Sequence, residues 1–297
     1  MSRVLFVVNP ISGNIDKAGI ISSMEDYCGQ CGLEWEILMT EGEGDRGRIA
    51  GKVMDWRPDL AVACGGDGTV NLLGSVLLKS EVEVVMAILP LGSSNGLATD
   101  LEIPSDPRLA MELLQGGRDL EIDVMQINDE QYSFHLAGLG FNAKLIQDFE
   151  SEEERGVMAY ARHFFRNISY KPRVSYRFQF PDQEMKTKAS MITFANAQRF
   201  GTGAVVNPMG SLDDGKFEVC IFQPWPDWYM PWMTLLFFLG RLNESDYVRI
   251  VSTRQVEVSG NEDQPLQIDG EVMGEVREVR VRIHESKLRV RVPEPAT

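Results

Sequence analysis

Residues 60–79 read LAVACGGDGTVNLLGSVLLK, and this stretch decides the fold of the first half of the chain. Leu60 to Cys64 is a continuous apolar run, which is typical of a strand buried on both faces of a sheet. The turn Gly65-Gly66-Asp67-Gly68-Thr69 follows, and a helical pattern extends from Thr69 to Lys79. Glycines at such a turn let the backbone approach a phosphate, with the helix N–H groups facing the anion. The alternative is an ordinary tight turn that Thr69 caps.

The same alternation of strands and helices surrounds this stretch. Sequence patterns predict strands at 4–8, 33–39 and 84–89, and helices at 16–31, 44–56 and 106–115. Repeated β-α units of this kind indicate a parallel sheet with helices on its faces. The N-terminal part of the chain is therefore predicted to fold as an α/β domain.

From residue 122 onward, short alternating strands separated by polar or glycine-containing turns dominate the sequence. This texture indicates an antiparallel sandwich or barrel. The strands are predicted at 131–136, 173–180, 189–196, 215–222, 249–258 and 278–283, with helices at 152–167 and 228–242. The whole chain is therefore predicted to join an N-terminal α/β domain with a parallel sheet to a C-terminal antiparallel β-sandwich domain.

Composition excludes several classes of function. The chain carries a net charge of -15, whereas nucleic-acid binding needs clustered Lys and Arg. The same charge disfavours broad attraction to anionic membranes. No apolar run reaches the roughly 18 to 20 residues of a spanning helix, and the N-terminal run lacks a charged leader. Cys28 and Cys31 form a single CxxC with no second pair, so we expect reduced cysteines in a cytoplasmic protein rather than a zinc site.

Two further loops follow buried strands. Residues 9–14 (NPISGN) close the first strand, and residues 89–98 (LPLGSSNGLA) connect another strand to a helix. Carboxyl ends of parallel strands meet at one edge of a sheet, so three such loops would line a crevice with backbone amides. The first loop alone is equally compatible with an ordinary Asn-Pro turn.

The order of these motifs carries a resemblance. Asn-Pro-x-Ser-Gly, then Gly-Gly-Asp-Gly-Thr, then Pro-x-Gly-Ser-x-Asn-x-x-Ala resembles the diacylglycerol kinase catalytic family, which includes bacterial lipid kinases and sphingosine kinases. Four later segments extend the resemblance over nearly the whole chain: Ile122-Asp123-Val124, residues 138–143 (GLGFNA), residues 211–215 (SLDDG) and residues 268–271 (IDGE).

The resemblance implies an ATP- and Mg²⁺-dependent kinase that phosphorylates a lipid hydroxyl in a cleft between two domains. The ATP-binding domain would comprise residues 1–122 with a strand from about 285–297 returning to it, and residues 123–284 would form the lipid-substrate domain. Asp67 would hold phosphates together with Mg²⁺. The residues expected around the nucleotide are Asn9, Ser12, Gly13, Gly65, Gly66, Gly68, Thr69, Gly92, Ser93 and Asn95.

Five acidic positions besides Asp67 receive roles from the same resemblance. Asp269 would be the base that takes the proton of the lipid hydroxyl, with Glu271 beside it; the alternative for Asp269-Gly270 is a plain hairpin turn. Asp213 and Asp214 would bind a metal ion or form a solvated turn. Asp123 would tie the domains together or pair with a nearby cation.

Two positions depart from the family pattern. Gly96 stands where many diacylglycerol kinases have an acid, and Asn142 replaces the acid of Gly-Phe-Asp-Ala. The Gly-Ser-x-Asn form is more similar to sphingosine kinases, so the substrate stays open between diacylglycerol-like and sphingoid-like lipids. Two alternatives also remain: an NAD kinase-like enzyme, since that group shares Gly-Gly-Asp-Gly-Thr, and a catalytically silent nucleotide- or lipid-binding regulator.

Residues 224–239 form the most apolar segment of the chain. Trp225, Trp228 and Trp232 are expected to contact a membrane transiently, because tryptophan suits the membrane interface. The alternative is a helix that packs its apolar face on the sandwich. Besides a lipid substrate, the sequence leaves open a second copy of the chain in a homodimer.

Overall fold

The computed structural model describes residues 2–13, 17–140, 173–200 and 204–295. The chain divides into two compact units, Met1–Ile122 with Ser286–Thr297, and Asp123–Glu285. The helix predicted at 152–167 and the departure at Asn142 lie outside the described residues.

The first unit contains a six-stranded sheet in its described part, in the order β2-β1-β3-β4-β16-β5. Its strands are β1 (Arg3–Val8), β2 (Glu34–Met39), β3 (Leu60–Gly65), β4 (Val85–Pro90), β5 (Arg118–Ile122) and β16 (Leu288–Val292). All neighbours pair in parallel except β16 and β5, which are antiparallel. Strand β3 is buried along its whole length and β1 from Val4 onward, as their continuous apolar runs predict.

Helices connect these strands as the β-α pattern predicts. They are α1 (Lys17–Cys31), α2 (Asp45–Trp56), α3 (Asp67–Leu78), the short α4 (Gly96–Asp100) and α5 (Pro107–Gly116). Helix α2 buries Ile49 and Val53, which lie four residues apart on one face. At α5, the Asp106 side chain accepts a hydrogen bond from the Arg108 N–H at 2.9 Å and caps the first turn.

Strand β5 was not predicted, because its sequence RDLEI carries charged residues through most of its length. One of these charged residues, Asp119, pairs with β16. The Asp119 carboxylate accepts hydrogen bonds from Arg289 at 2.9 Å and from Arg291 at 2.6 Å. The strand is therefore held partly by cross-strand ion pairs, which an apolar periodicity does not report.

The second unit contains a ten-stranded antiparallel sheet in its described part. Its strands are β6 (Met125–Ile127), β7 (Gln131–Ser133), β8 (Leu136–Gly140), β9 (Val174–Gln179), β10 (Glu184–Ala189), β11 (Met191–Ala195), β12 (Phe217–Phe222), β13 (Val248–Thr253), β14 (Gln255–Ile268) and β15 (Glu271–Ile283). A core that includes Phe178, Phe194 and Phe217 is fully buried among these strands. The predicted fold class, an α/β domain followed by an antiparallel sandwich domain, is confirmed.

The hairpin β14–β15 is longer than the sequence predicts. Residues 260–263 read GNED and favour a loop, yet the strand continues through them with an irregularity in register between Ser259 and Gln264. Such an irregularity keeps two strands together across a polar insertion. The predicted helix 228–242 is shorter, since α6 spans Met230–Leu239 and a 3₁₀ turn, Asp227–Tyr229, precedes it. Within the described ranges, no helix has the length and apolar character needed to cross a membrane.

Candidate active-site residues

Three loops of the first unit meet at the carboxyl edge of its sheet. Strands β1, β3 and β4 are neighbours. The Asn9 N–H donates to the Cys64 carbonyl at 3.0 Å, and the Leu91 N–H donates to the Gly65 carbonyl at 2.9 Å. These two backbone bonds join the starts of the three predicted loops and fix their spacing.

The glycines of these loops touch one another's backbones. A Cβ on Gly92 would lie 2.4 Å from the Gly66 Cα, and a Cβ on Gly13 would lie 2.3 Å from the Leu91 carbonyl oxygen. Gly13 also has a φ of +58°. A Cβ on Gly65 would lie 2.1 Å from the Thr69 hydroxyl oxygen. An isolated turn would not require glycine for contact with another loop, so these contacts favour a built phosphate cradle over ordinary turns.

The polar side chains of the cradle bond mainly within their own loops. Asn95 has a left-handed φ of 51°, and its amide both accepts from the Gly92 N–H and donates to the Gly92 carbonyl, each at 2.9 Å. Asn9 accepts from the Ile11 N–H at 3.1 Å, and the Ser12 hydroxyl donates to the Asn9 carbonyl at 3.0 Å. These hydrogen bonds shape the two loops.

Asp67 connects two of the loops. Its carboxylate accepts hydrogen bonds from the Gly96 N–H at 2.9 Å and the Leu97 N–H at 3.3 Å, at the start of α4. Gly96 is the position that departs from the family pattern, and its N–H is one of the two groups that orient this carboxylate. Gly68 and Thr69 follow Asp67 in the first turn of α3, whereas Ser93 is exposed. The predicted contact of Asp67 with Mg²⁺ stays a prediction.

Replacing Asp67 with alanine is expected to loosen the start of α4. Two amides would lose a charged acceptor, which lowers the free energy of unfolding by about 1 to 3 kcal/mol. Denaturant titration followed by circular dichroism measures this change. Asp55→Ala is the matched control because Asp55 is an exposed acid on α2; equal stability of the two variants would contradict the connecting role.

In the second unit, the Asp269 carboxylate is buried and surrounded by donors. Its side chain accepts from the Ser133 hydroxyl at 2.7 Å and from the N–H groups of Phe134, His135 and Leu136 at 3.0, 3.1 and 3.1 Å. The residue is 6% exposed and has a φ of 46°. These bonds wrap residues 133–136 around the carboxylate, which explains why the single strand predicted at 131–136 divides into β7 and β8.

Asp269-Gly270 is also a hairpin turn, because it connects β14 to β15. The Gly270 N–H donates to the Gln267 side chain at 2.9 Å, and Gly270 has a φ of 90°. A plain turn would leave its aspartate in solvent, so a buried carboxylate with four donors goes beyond the turn alternative. Glu271 follows as an exposed residue at the start of β15.

Asp123 holds the 211–215 turn within its own unit. Its side chain accepts from the Gly215 N–H at 2.5 Å, and its N–H donates to the Leu212 carbonyl at 2.6 Å. Asp213 accepts from the Ser211 hydroxyl at 2.7 Å, and Asp214 from the Lys216 N–H at 2.9 Å. No group of three acidic, His or Cys side chains that could hold a metal ion occurs in the described part of the chain. The metal role of Asp213 and Asp214 stays a prediction.

Sequence reasoning missed two polar residues in the second unit. Ser133 supplies the shortest hydrogen bond to Asp269. Glu218 is buried in β12, and its carboxylate accepts a hydrogen bond from the Asn207 amide at 2.5 Å. Burial raises the pKa of this carboxyl, and repulsion from Asp214 adds to the increase. Hydrogen bonds from Asn207 and Ser252 act in the opposite direction. A glutamate inside the apolar run FEVCIF was the available signal for Glu218, whereas Ser133 offered none.

The chain thus combines a glycine cradle at the edge of a mostly parallel sheet with an antiparallel domain that holds a buried carboxylate. Family models match both parts of the chain. Residues 3–127 match the diacylglycerol kinase catalytic domain, and residues 137–292 match the YegS C-terminal NAD kinase beta sandwich-like domain. The chain belongs to this lipid kinase family, and the predicted resemblance is confirmed.

Relatives with both parts cover nearly the full chain. A probable lipid kinase YegS-like protein of Pseudomonas aeruginosa is 30% identical, over 98% of this chain and 94% of that protein. Another, from Yersinia enterocolitica, is 24% identical over 99% and 98% of the two chains. The crystal structure of a diacylglycerol kinase from Bacillus anthracis has a TM-score of 0.74 at 17% identity, covering 99% of this chain and 97% of that one. This last likeness shows the fold.

Proposed function

We propose that this chain transfers the γ-phosphoryl group of ATP, bound with Mg²⁺, to the hydroxyl of a lipid. The observation that carries the proposal is the backbone contact between Gly66 and Gly92 in the cradle of the first unit. Phosphoryl transfer depends mainly on positioning and on neutralising charge. The family and the two-domain fold support the same reaction.

The nucleotide phosphates would lie against the N–H groups of the 65–69 turn and the start of α3. Glycine at 66 and 92 lets the 65–69 turn and the 89–98 loop pack closely, because an added Cβ on Gly92 would clash with Gly66. The N–H groups at the start of the following helix then suit an anion. Mg²⁺ bound to ATP neutralises the phosphate oxygens and keeps several water ligands, so it needs few protein carboxylates. Asp67 contributes by fixing the position of the third loop against the 65–69 turn.

The lipid hydroxyl would be activated at Asp269. Its proton moves to the Asp269 carboxylate, its oxygen forms a bond to the γ-phosphorus, and the bond between that phosphorus and the β,γ-bridging oxygen breaks to release ADP. Oδ1 accepts hydrogen bonds from Ser133, His135 and Leu136, and Oδ2 accepts one from Phe134, so both oxygens are held in place. Glu271 would assist from the next strand.

Incubation with γ-labelled ATP and a total lipid extract tests the proposal directly. We expect label in a lipid product that is identified by mass spectrometry, and none in a parallel reaction with NAD. Diacylglycerol and a sphingoid base, assayed separately, distinguish the two lipid classes that the sequence leaves open. Labelled NADP would instead establish the NAD kinase-like alternative, and ATP binding without a labelled acceptor would establish the silent regulator.

A further inference from the structure

Helix α6 is apolar on both of its faces. One face, with Met233, Leu236 and Phe237, packs in a core with Phe222 and Trp225. The prediction that Trp225 contacts a membrane is wrong, because that side chain is 6% exposed inside this core. The opposite side carries exposed large residues that we call the aromatic face: Trp228, Trp232, Leu235, Phe238 and Leu239.

The aromatic face is unusual for a helix in contact with water. Its exposure is high, 75% for Trp228 and 62% for Phe238, whereas a helix at a protein surface ordinarily turns polar residues outward. Residues 230–239 read MPWMTLLFFL and contain no charged residue, in a chain that has 44 acids. Beyond the helix, Arg241 donates to both carboxylate oxygens of Glu244 at 2.6 Å, so these flanking charges neutralise each other.

We propose that the aromatic face inserts into the interfacial layer of a lipid bilayer, where it holds the chain at a membrane. Trp228 in the 3₁₀ turn and Trp232 in α6 precede Leu235, Phe238 and Leu239 along the chain, so aromatic rings with polar N–H groups stand beside purely apolar side chains. Tryptophan prefers the boundary between headgroups and acyl chains, and the other three suit its apolar side. The overall charge of -15 requires apolar burial rather than basic residues to supply this attraction.

A second copy of the chain fits the face less well. The five exposed side chains offer roughly 500 Å², taking about 150 to 250 Å² for a whole aromatic side chain, whereas a stable interface buries about 800 Å² on each partner. Pairing would also bring two chains of charge -15 together, and such charge opposes self-association. A bilayer needs no matching protein surface, so it is the occupant that area and charge favour.

Sedimentation with phosphatidylcholine vesicles tests the proposal without nucleotide or substrate, so a failed kinase assay would not affect the result. The wild-type chain should pellet with the vesicles and shift its tryptophan emission to shorter wavelength. Trp232→Ser combined with Phe238→Ser should lower the partition coefficient at least about tenfold. Both residues are exposed, so an unchanged Tm would show that the variant is folded.

Salt dependence supplies a second readout. For vesicles that also contain phosphatidylglycerol, raising NaCl from about 0.05 to 0.5 M should strengthen binding, because salt screens the repulsion between two negative surfaces. The matched control is Met54→Ser with Leu109→Ser, which removes exposed apolar side chains from the first unit and should leave binding unchanged. Equal pelleting of the aromatic-face variant and the wild type would overturn the proposal. So would a dimer that this variant dissociates, since the face would then bind a second copy.

Discussion

Replacing Gly92 with alanine is expected to weaken binding of a non-hydrolysable ATP analogue by at least about a hundredfold. The new Cβ would lie 2.4 Å from the Gly66 Cα and 2.9 Å from the Gly66 N. Both neighbours are backbone atoms, so relief requires the 65–69 turn and the 89–98 loop to separate. Hydrogen bonds to charged groups contribute about 1.5 to 3 kcal/mol each, so losing one or two backbone N–H contacts with the phosphates corresponds to roughly two orders of magnitude in affinity. Isothermal titration calorimetry measures the loss, and the same overpacking should lower the free energy of unfolding by about 1 to 3 kcal/mol.

Gly51→Ala is the matched control for this experiment. Gly51 lies in α2, and a Cβ there would meet nothing within 4 Å. Alanine should stabilise the helix by roughly 0.5 to 1 kcal/mol and leave nucleotide affinity unchanged. If Gly92→Ala bound the analogue as tightly as Gly51→Ala, the cradle would not be the nucleotide site.

Replacing Asp269 with asparagine is expected to lower kcat for lipid phosphorylation by about 10² to 10⁴. The amide group cannot take the proton of the acceptor hydroxyl. Its NH₂ would also face either the Phe134 N–H, which now donates to Oδ2, or the N–H groups of His135 and Leu136, which now donate to Oδ1. That mismatch should cost about 1 to 3 kcal/mol of stability. Initial rates at saturating ATP and thermal unfolding separate the two effects.

Two further variants decide whether Asp269 acts in catalysis or only in folding. Ser133→Ala removes one of the four donors and should lower stability while retaining most of the turnover. Asp263→Asn changes an exposed acid on the same hairpin and should alter neither. A folded Asp269→Asn protein with wild-type kcat would exclude the proton-accepting role and leave Asp269 as a residue that shapes the 133–136 segment.

The sequence predicted best those elements that depend on a local pattern of residues. Continuous apolar runs placed β1, β3 and β4, and glycine spacing placed the three loops at one edge of the sheet. It was least informative where contacts come from residues far apart along the chain. Nothing in the sequence near residue 133 indicates a bond to Asp269, since 136 positions separate the partners. Strand β5 was missed for the same reason, because Asp119 pairs with Arg289, 170 positions further along the chain.

Side-chain roles inside the cradle were also beyond sequence reasoning. The predicted contact of Asn9, Ser12 and Asn95 with nucleotide stays a prediction, and the structure adds that their side chains form hydrogen bonds within their own loops. Small polar residues bond to the nearby backbone as readily as to a ligand, so composition alone does not distinguish the two roles. The sequence also did not distinguish the three tryptophans. The structure shows that Trp225 is buried in the core, whereas Trp228 and Trp232 are exposed.

The position of β16 affects how the chain is made. Leu288–Val292 lies between β4 and β5, and its two neighbours end at residues 90 and 122. During synthesis, the whole second unit therefore leaves the ribosome before β16 does, and β16 is needed to connect β4 to β5 in the first sheet. Until then, β4 and β5 each present an unpaired strand edge, which is a template for aggregation. Pairing with β16 therefore covers the exposed edges of β4 and β5, although these two strands are synthesised much earlier.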